Sequence, residues 1–203
     1  MRQSISLSKI QARITHPFSL KLPMPAKLFK ILSLFTVGIL LTACASHEIV
    51  ISSDEVASVA KATQIKTSTT DQSVTYIGPE IFTIGADNTS EQFGLVATKN
   101  SHGHVTYRAV GKLIYLNGMR EYQSAQIVNG ATVPFKSLNR MAGPCGSMGC
   151  EFGEEISIEL SEDFLVQKKK TGFEINVSSK KGITNTLFFS ISYLTGYMSV
   201  LGK

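Results

Sequence analysis

The sequence predicts an α+β domain, a mainly antiparallel β-sheet arranged as a meander with one or two short helices on it; an all-β sandwich is the alternative. Three observations carry that expectation. From Val74 onward apolar and polar residues alternate at period two in several runs, two Asn-Gly pairs punctuate those runs, and only the stretches after Ser161 and from Ser192 carry strong helix signals. No internal repeat is evident.

Val74–Ile77 and Ile81–Ile84 are short β-rich runs on either side of Gly78-Pro79, and a proline without an N–H confines that bend to an edge or turn. Phe93–Lys99 follows, then the turn-like Asn100-Ser101-His102-Gly103, then a long run from His104 to Leu116. In that run Val105, Tyr107, Ala109, Leu113 and Tyr115 fall on one face and Thr106, Arg108 and Lys112 on the other, the mark of a half-buried strand. Asn117-Gly118 and Asn129-Gly130 supply the residues that tolerate the positive φ of a tight hairpin turn. The expected meander is therefore Phe93–Lys99, His104–Leu116, Met119–Val128 and Ala131–Lys136.

Farther on, Glu154–Leu160 alternates, with Ile156, Ile158 and Leu160 inward and Glu155, Ser157 and Glu159 toward water. Ser161 can cap a helix that has Glu162 and Asp163 in its first turn, Lys168, Lys169 and Lys170 in its last, and Gly172 beyond, a charge order that suits the macrodipole. Phe164, Leu165 and Val166 are its candidates for burial. Phe173–Val177 and Thr186–Ile191 read as a hairpin through the polar Ser178–Gly182 stretch. Ser192–Leu201 reads as a helix with Tyr193, Leu194, Tyr197, Met198 and Leu201 on one side and Gly202 as its stop, although Gly196 weakens the helix.

The charge is unevenly placed. The chain of 203 residues has 20 Lys+Arg, 15 Asp+Glu, a formal charge of +5 and a pI near 9.1. Six of the basic residues (Arg2, Lys9, Arg13, Lys21, Lys27, Lys30) and none of the acids lie in residues 1–43, so the rest carries 14 basic and 15 acidic residues and is nearly neutral. A nucleic-acid partner is excluded on that ground. The remaining length, about 160 residues, suits one domain and buries enough surface to fold without a metal or a dense disulfide framework. With eleven Phe, six Tyr and no Trp, aromatic burial falls mainly to Phe.

From Ile31 to Ala43 runs the uncharged stretch ILSLFTVGILLTA, closely preceded by Lys27 and Lys30. It is too short for a hydrocarbon core, which needs about 20 apolar residues, and matches the apolar region of a signal peptide. It ends in Leu41-Thr42-Ala43-Cys44, which resembles the lipobox of bacterial lipoproteins, where a Leu and two small residues precede the Cys that is acylated and becomes the first mature residue. The resemblance covers residues 24–44, and Met24 would open a compact version of the signal. It implies that residues 1–43 are a removed leader and that Cys44 carries the lipid, a membrane anchor once several acyl chains are attached. Ala45 and Ser46 follow the Cys where an inner-membrane retention signal would place Asp, which implies the periplasmic face of the outer membrane in a host with two membranes. Residues 44–73, with ten Ser/Thr from 45 onward, read as a tether; a short helix with capping-box spacing from Ser52 to Glu55 is the exception within it. The globular domain is expected at 74–203.

Gly143-Pro144-Cys145-Gly146-Ser147-Met148-Gly149-Cys150 is the most informative local feature. An oxidising compartment favours a disulfide between Cys145 and Cys150, and the small ring it closes is worth about 2 kcal/mol, enough to fix a loop but not a fold. The rival is a soft metal site from His102, His104, Cys145 and Cys150, with Met148 near; it suffers from a Cys spacing wider than usual and from His102 lying in a turn. No Cys-x-x-Cys, Gly-x-Ser-x-Gly, His-Glu-x-x-His, Walker or dinucleotide pattern occurs, so neither a cofactor nor a catalytic residue is assigned. Six acids lie between Glu151 and Asp163, but strand and helix patterning places them in solvent. From Cys145 onward the chain resembles uncharacterised bacterial envelope lipoproteins with two Cys before an acidic strand, a likeness that implies no activity. The expectation is a lipid-anchored, non-enzymatic envelope protein that meets another envelope protein through a rigid loop containing Gly143, Pro144, Gly146, Ser147, Met148 and Gly149. The alternative is a small-ligand or metal carrier.

Overall fold

The structure, a computed structural model, describes residues 53–203. The expected leader 1–43, the start at Met24 and the acylated Cys44 lie outside the described residues. In chain order these residues form α1 (Ser53–Ala62), β1 (Gln64–Thr67), β2 (Val74–Ile77), β3 (Ile81–Ile84), β4 (Ser90–Lys99), β5 (Val105–Leu116), β6 (Tyr122–Ile127), β7 (Thr132–Val133), β8 (Phe135–Gly146), β9 (Gly149–Leu160), α2 (Glu162–Lys168), β10 (Phe173–Ser179), β11 (Thr184–Phe189) and α3 (Ile191–Val200). The strands make two antiparallel sheets, and with three short helices the fold is α+β as expected.

The first sheet runs β1-β2-β4-β5-β9-β8, with β3 also on β4; the second runs β11-β10-β6-β7. Alternation decides which face is buried. Phe93, Leu95 and Ala97 of β4, Tyr107, Ala109, Leu113 and Tyr115 of β5, and Ile156, Ile158 and Leu160 of β9 point to one core. The second sheet meets them with Ala125, Ile127, Ile175, Val177, Leu187 and Phe189, and Phe93 and Phe189 touch edge to face across the sheets with ring centroids 5.2 Å apart.

The expected meander closes only over its first two strands. β4 and β5 pair from Lys99↔Val105 to Ser90↔Ile114, but the neighbour on the far side of β5 is β9, not the strand after Asn117-Gly118. Asn117 and Gly118 do adopt positive φ, 69° and 98°, yet the chain leaves the first sheet there and β6 joins the second. A turn's dihedral preference fixes the reversal, not which partner the next strand finds. Here β9 offers β5 ten consecutive pairs in phase with its apolar face. Asn129-Gly130 does join β6 to β7, but β7 has only two residues before Pro134 and β8 returns to the first sheet.

Among the described residues, secondary structure is already present from Ser53, ahead of Val74. In the segment expected as a tether, β1 pairs with β2 and α1 packs on α3, burying Val59. The glycine that weakens α3 makes this contact: a Cβ on Gly196 would lie 2.5 Å from the Val56 carbonyl oxygen and 2.8 Å from Val59 Cβ. The short helix expected from the Ser52 and Glu55 spacing is present, and its narrow apolar face suffices because it meets a groove in another helix. α2 is capped as expected, the Phe164 N–H donating to Ser161 Oγ at 3.2 Å, and it buries Leu165 while Val166 stays exposed. α3 starts one residue earlier than expected, capped by Ser190, and buries Tyr193, Leu194, Tyr197 and Met198. Its Tyr193 hydroxyl accepts from the Leu95 N–H at 3.1 Å and donates to the Pro79 carbonyl at 2.9 Å, filling the gap in the sheet that Gly78-Pro79 opens. Among the described residues no helix is long and apolar enough to cross a membrane.

Candidate functional site

The Gly143–Cys150 segment is not a free loop. It is the far end of the β8–β9 hairpin, two strands of twelve residues each joined by Ser147-Met148. Cys145 and Cys150 face each other in the register and are disulfide-bonded. The pairs Cys145↔Cys150 and Gly146↔Gly149 lie past Leu116↔Glu151, where β5 ends, so the tip stands beyond the sheet. Asn117 buttresses it: its N–H donates to the Cys150 carbonyl at 3.3 Å, and its Oδ1 lies 2.7 Å from where a Cβ on Gly149 would sit. Gly149 has φ 115°, so a side chain there is excluded twice. Gly143, Pro144, Cys145, Gly146, Ser147 and Met148 are exposed, Met148 at 78%.

The histidines do not approach this tip. His102 lies in the exposed turn before β5 and His104 just precedes Val105, whereas the cysteines sit past the other end of β5, about 35 Å away at the usual strand rise. With both sulfurs in a disulfide, the soft-ligand set proposed from sequence is not assembled.

Between the sheets lies a polar cluster that the sequence reading missed. At its centre Glu154 is fully buried, not solvated, with 0% of its side chain exposed. Its Oε1 accepts from the Tyr115 hydroxyl and from the Glu121 N–H at 2.8 Å; its Oε2 accepts from the Tyr122 N–H at 3.1 Å and from Arg140 Nε at 3.2 Å. The carboxylate thus clamps the crossing from β5 to β6, where Glu121 holds a left-handed φ of 57°. Ser157, also expected in water, is buried beneath β8 opposite Lys136.

The second limb starts at Arg120, whose guanidinium lies 4.2 Å from the Tyr115 ring centroid. Its Nη1 donates to Asp87 Oδ2, to Thr89 Oγ1 at 2.6 Å and to the Tyr122 hydroxyl at 3.1 Å. Tyr122 donates to Asn185 Oδ1, and the Asn185 amide donates to Asp87 Oδ1 at 3.2 Å and to Glu91 Oε1 at 2.9 Å; Thr83 donates to Glu91 Oε2 at 2.7 Å. Burial pushes the Asp87 carboxyl upward, but the hydroxyl and N–H of Thr89, the Arg120 guanidinium and the Asn185 amide outweigh it and hold the group below the ordinary carboxylate range. Gly85 makes room: a Cβ there would lie 2.6 Å from Glu91 Oε1 and 2.8 Å from Asn185 Nδ2. Above these groups a cleft of about 350 Å³ opens between β3 and β11, with Asp87 and Asn185 in its floor and Ile84 and Phe188 on its walls.

Chemically this cluster is a set of matched donors and acceptors. Its carboxylates already accept from guanidinium, amide, hydroxyl and backbone groups, so none is presented as a base or nucleophile, and the arrangement ties β3, β4, β6, β9 and β11 together. A sequence signal for it did exist. Glu91 shares the parity of Phe93 and Leu95, Glu154 that of Ile156 and Ile158, and Asn185 that of Leu187 and Phe189, each a polar residue on an apolar strand face.

No protein family matches the chain, and neither the curated proteins nor the solved structures contain a match.

Proposed function

We propose that the chain is a lipid-anchored protein of the bacterial cell envelope, attached through Cys44 at the periplasmic face of the outer membrane. In this reading its β domain is a non-enzymatic interaction module that docks another envelope protein through the tip of the β8–β9 arm. The observation that supports it best is that tip: exposed residues from Gly143 to Met148 on a hairpin closed by Cys145–Cys150 and braced by Asn117. A surface rigid before binding loses little conformational entropy on association, which is how a small contact gains affinity. The polar cluster supports the non-enzymatic part, since its charges are spent on each other.

The test uses membranes solubilised in mild detergent. The wild-type protein should migrate in an assembly larger than the single lipidated chain, and Met148→Asp or the pair Cys145→Ser with Cys150→Ser should return it to the size of the single chain. Cys44→Ala should leave the detergent phase altogether. An assembly indifferent to the tip variants, or Cys44→Ala that partitions like wild type, contradicts the corresponding half of the proposal.

A further inference from the structure

Arg108 lies on the outer face of the first sheet. Its neighbours in β5, Tyr107 and Ala109, are buried in the core, so alternation points Arg108 and Val110 the other way. Val96 of β4 and Glu159 of β9 stand directly opposite it. The guanidinium nevertheless pairs with neither strand: the four ion pairs among the described residues belong to Arg120, Arg140, Lys180 and Lys203. Arg108 Nε is the one buried side-chain nitrogen or oxygen among the described residues that has no hydrogen-bond partner. A sealed donor without an acceptor destabilises the fold, and its persistence points to an acceptor that arrives from outside.

Arg108 borders two clefts. The one toward α2 sets Glu159 and Glu162 against Arg108 and His104. The other, of about 160 Å³, is bordered by Arg108 of β5, Ser157 and Glu159 of β9, and Lys136 and Leu138 of β8. Here two cations that take part in no ion pair face a single acid. Ser157 stands opposite Lys136, and β5 and β8 flank β9, which puts their backbones about 10 Å apart with the Ser157 position between them. An apolar wall comes from the register shift between Ser137 and Asn139: it leaves Leu138 out of the ladder, and such a bulge re-aims the side chain it carries, here over the cleft, where Leu138 is 50% exposed.

We infer that this second cleft binds an organic carboxylate, held between Arg108 and Lys136 above Ser157, with an apolar group of the same ligand against Leu138. A short swing of the Arg108 side chain into the cleft presents Nε and one Nη together, the parallel donor pair that a flat carboxylate matches, and gives the sealed Nε its acceptor. A phosphate dianion fits worse, because Glu159 on the rim repels the added charge. Small organic acids and the C-terminus of a peptide present the same group.

The probes are acetyl-Ala-Ala-Leu with a free C-terminal carboxylate, the same peptide as its C-terminal amide, acetyl-leucine and inorganic phosphate, each titrated into the full chain in detergent micelles. The free-acid peptide should bind, and the amide should bind at least about tenfold more weakly. Acetyl-leucine binding as well as the peptide identifies the source as a small acid, and a preference for the peptide identifies it as a chain terminus. The Arg108 Nε–H resonance, assigned by its loss in Arg108→Gln, should shift with the free acid and stay in place with the amide. Arg108→Gln should weaken the free acid at least about tenfold. If that variant fails to fold, Lys136→Gln at an exposed position should still weaken it severalfold, whereas Glu159→Gln should tighten it by removing the nearest like charge. The inference is overturned if acid and amide bind equally or not at all, if phosphate binds as tightly as the free acid, if the Nε–H resonance does not move, or if Glu159→Gln abolishes binding.

Discussion

Replacing Glu154 with Gln changes no volume but places an NH2 where one carboxylate oxygen accepts two hydrogen bonds. The best placement puts that NH2 at the Oε1 position, because the Tyr115 hydroxyl can turn to accept from it. The Glu121 N–H, 2.8 Å from Oε1, then faces a donor, and the bonds from Tyr122 N–H and Arg140 Nε lose their charge assistance. One backbone N–H left unmade and two weakened bonds amount to about 2–4 kcal/mol. For a domain of this size that is a fall of about 5–15 °C in melting temperature. Urea unfolding followed by far-ultraviolet circular dichroism measures it, with Glu155→Gln, one position along and on the other face of β9, as the control expected within about 0.5 kcal/mol. If Glu154→Gln costs no more than Glu155→Gln, the clamp at the β5–β6 crossing is not what holds the two sheets together.

Gly196→Ala should invert the helix-propensity rule. Alanine in an exposed helix gains about 1 kcal/mol over glycine, but here the Cβ meets Val56 and Val59, and the loss should be about 1–3 kcal/mol with faster hydrogen exchange in α1; a rise in melting temperature would contradict the packing. Asp87→Asn should destabilise the protein near neutral pH. The folded carboxyl lies below its ordinary 3.8, so its contribution is fully present above that value and is lost as pH falls below it toward the folded-state value. Unfolding measured at about pH 7 and about pH 3 should show the mutational penalty shrinking in acid, and an unchanged penalty would remove the ionised Asp87 from the account. Cys145→Ser with Cys150→Ser should lower stability by about 2 kcal/mol at most and speed exchange mainly at Gly146–Gly149; collapse of the whole sheet would show that the disulfide does more than close the tip.

The sequence carried the local features well and the distant ones poorly, for a physical reason. Period-two alternation located β5 and β9, serine caps and end charges located α2, and spacing paired Cys145 with Cys150, because each depends on residues close in the chain. Strand partnership does not. Nothing at Asn117-Gly118 says that β6 must cross to another sheet, because that outcome is decided by the longer, better phased β9 some thirty residues away. The polar cluster was hidden likewise: Asp87, Arg120, Glu154 and Asn185 come from four separated segments and meet only when two sheets stack. Reading parity residue by residue would have flagged Glu91, Glu154 and Asn185 as polar groups on buried faces. α1 was legible only in the capping-box spacing from Ser52 to Glu55, and its packing was not, because its one buried apolar side chain, Val59, finds its partner at Gly196 near the other end of the domain.

The interaction role of the arm is tested most directly by placing a photo-crosslinking amino acid at Met148 in living cells, with Val166 on α2, also exposed, as a control position. The account predicts one discrete adduct with an envelope protein from position 148, absent from position 166 and lost when Cys145 and Cys150 are both serine. Identical adducts from both positions, or none from 148, would contradict it.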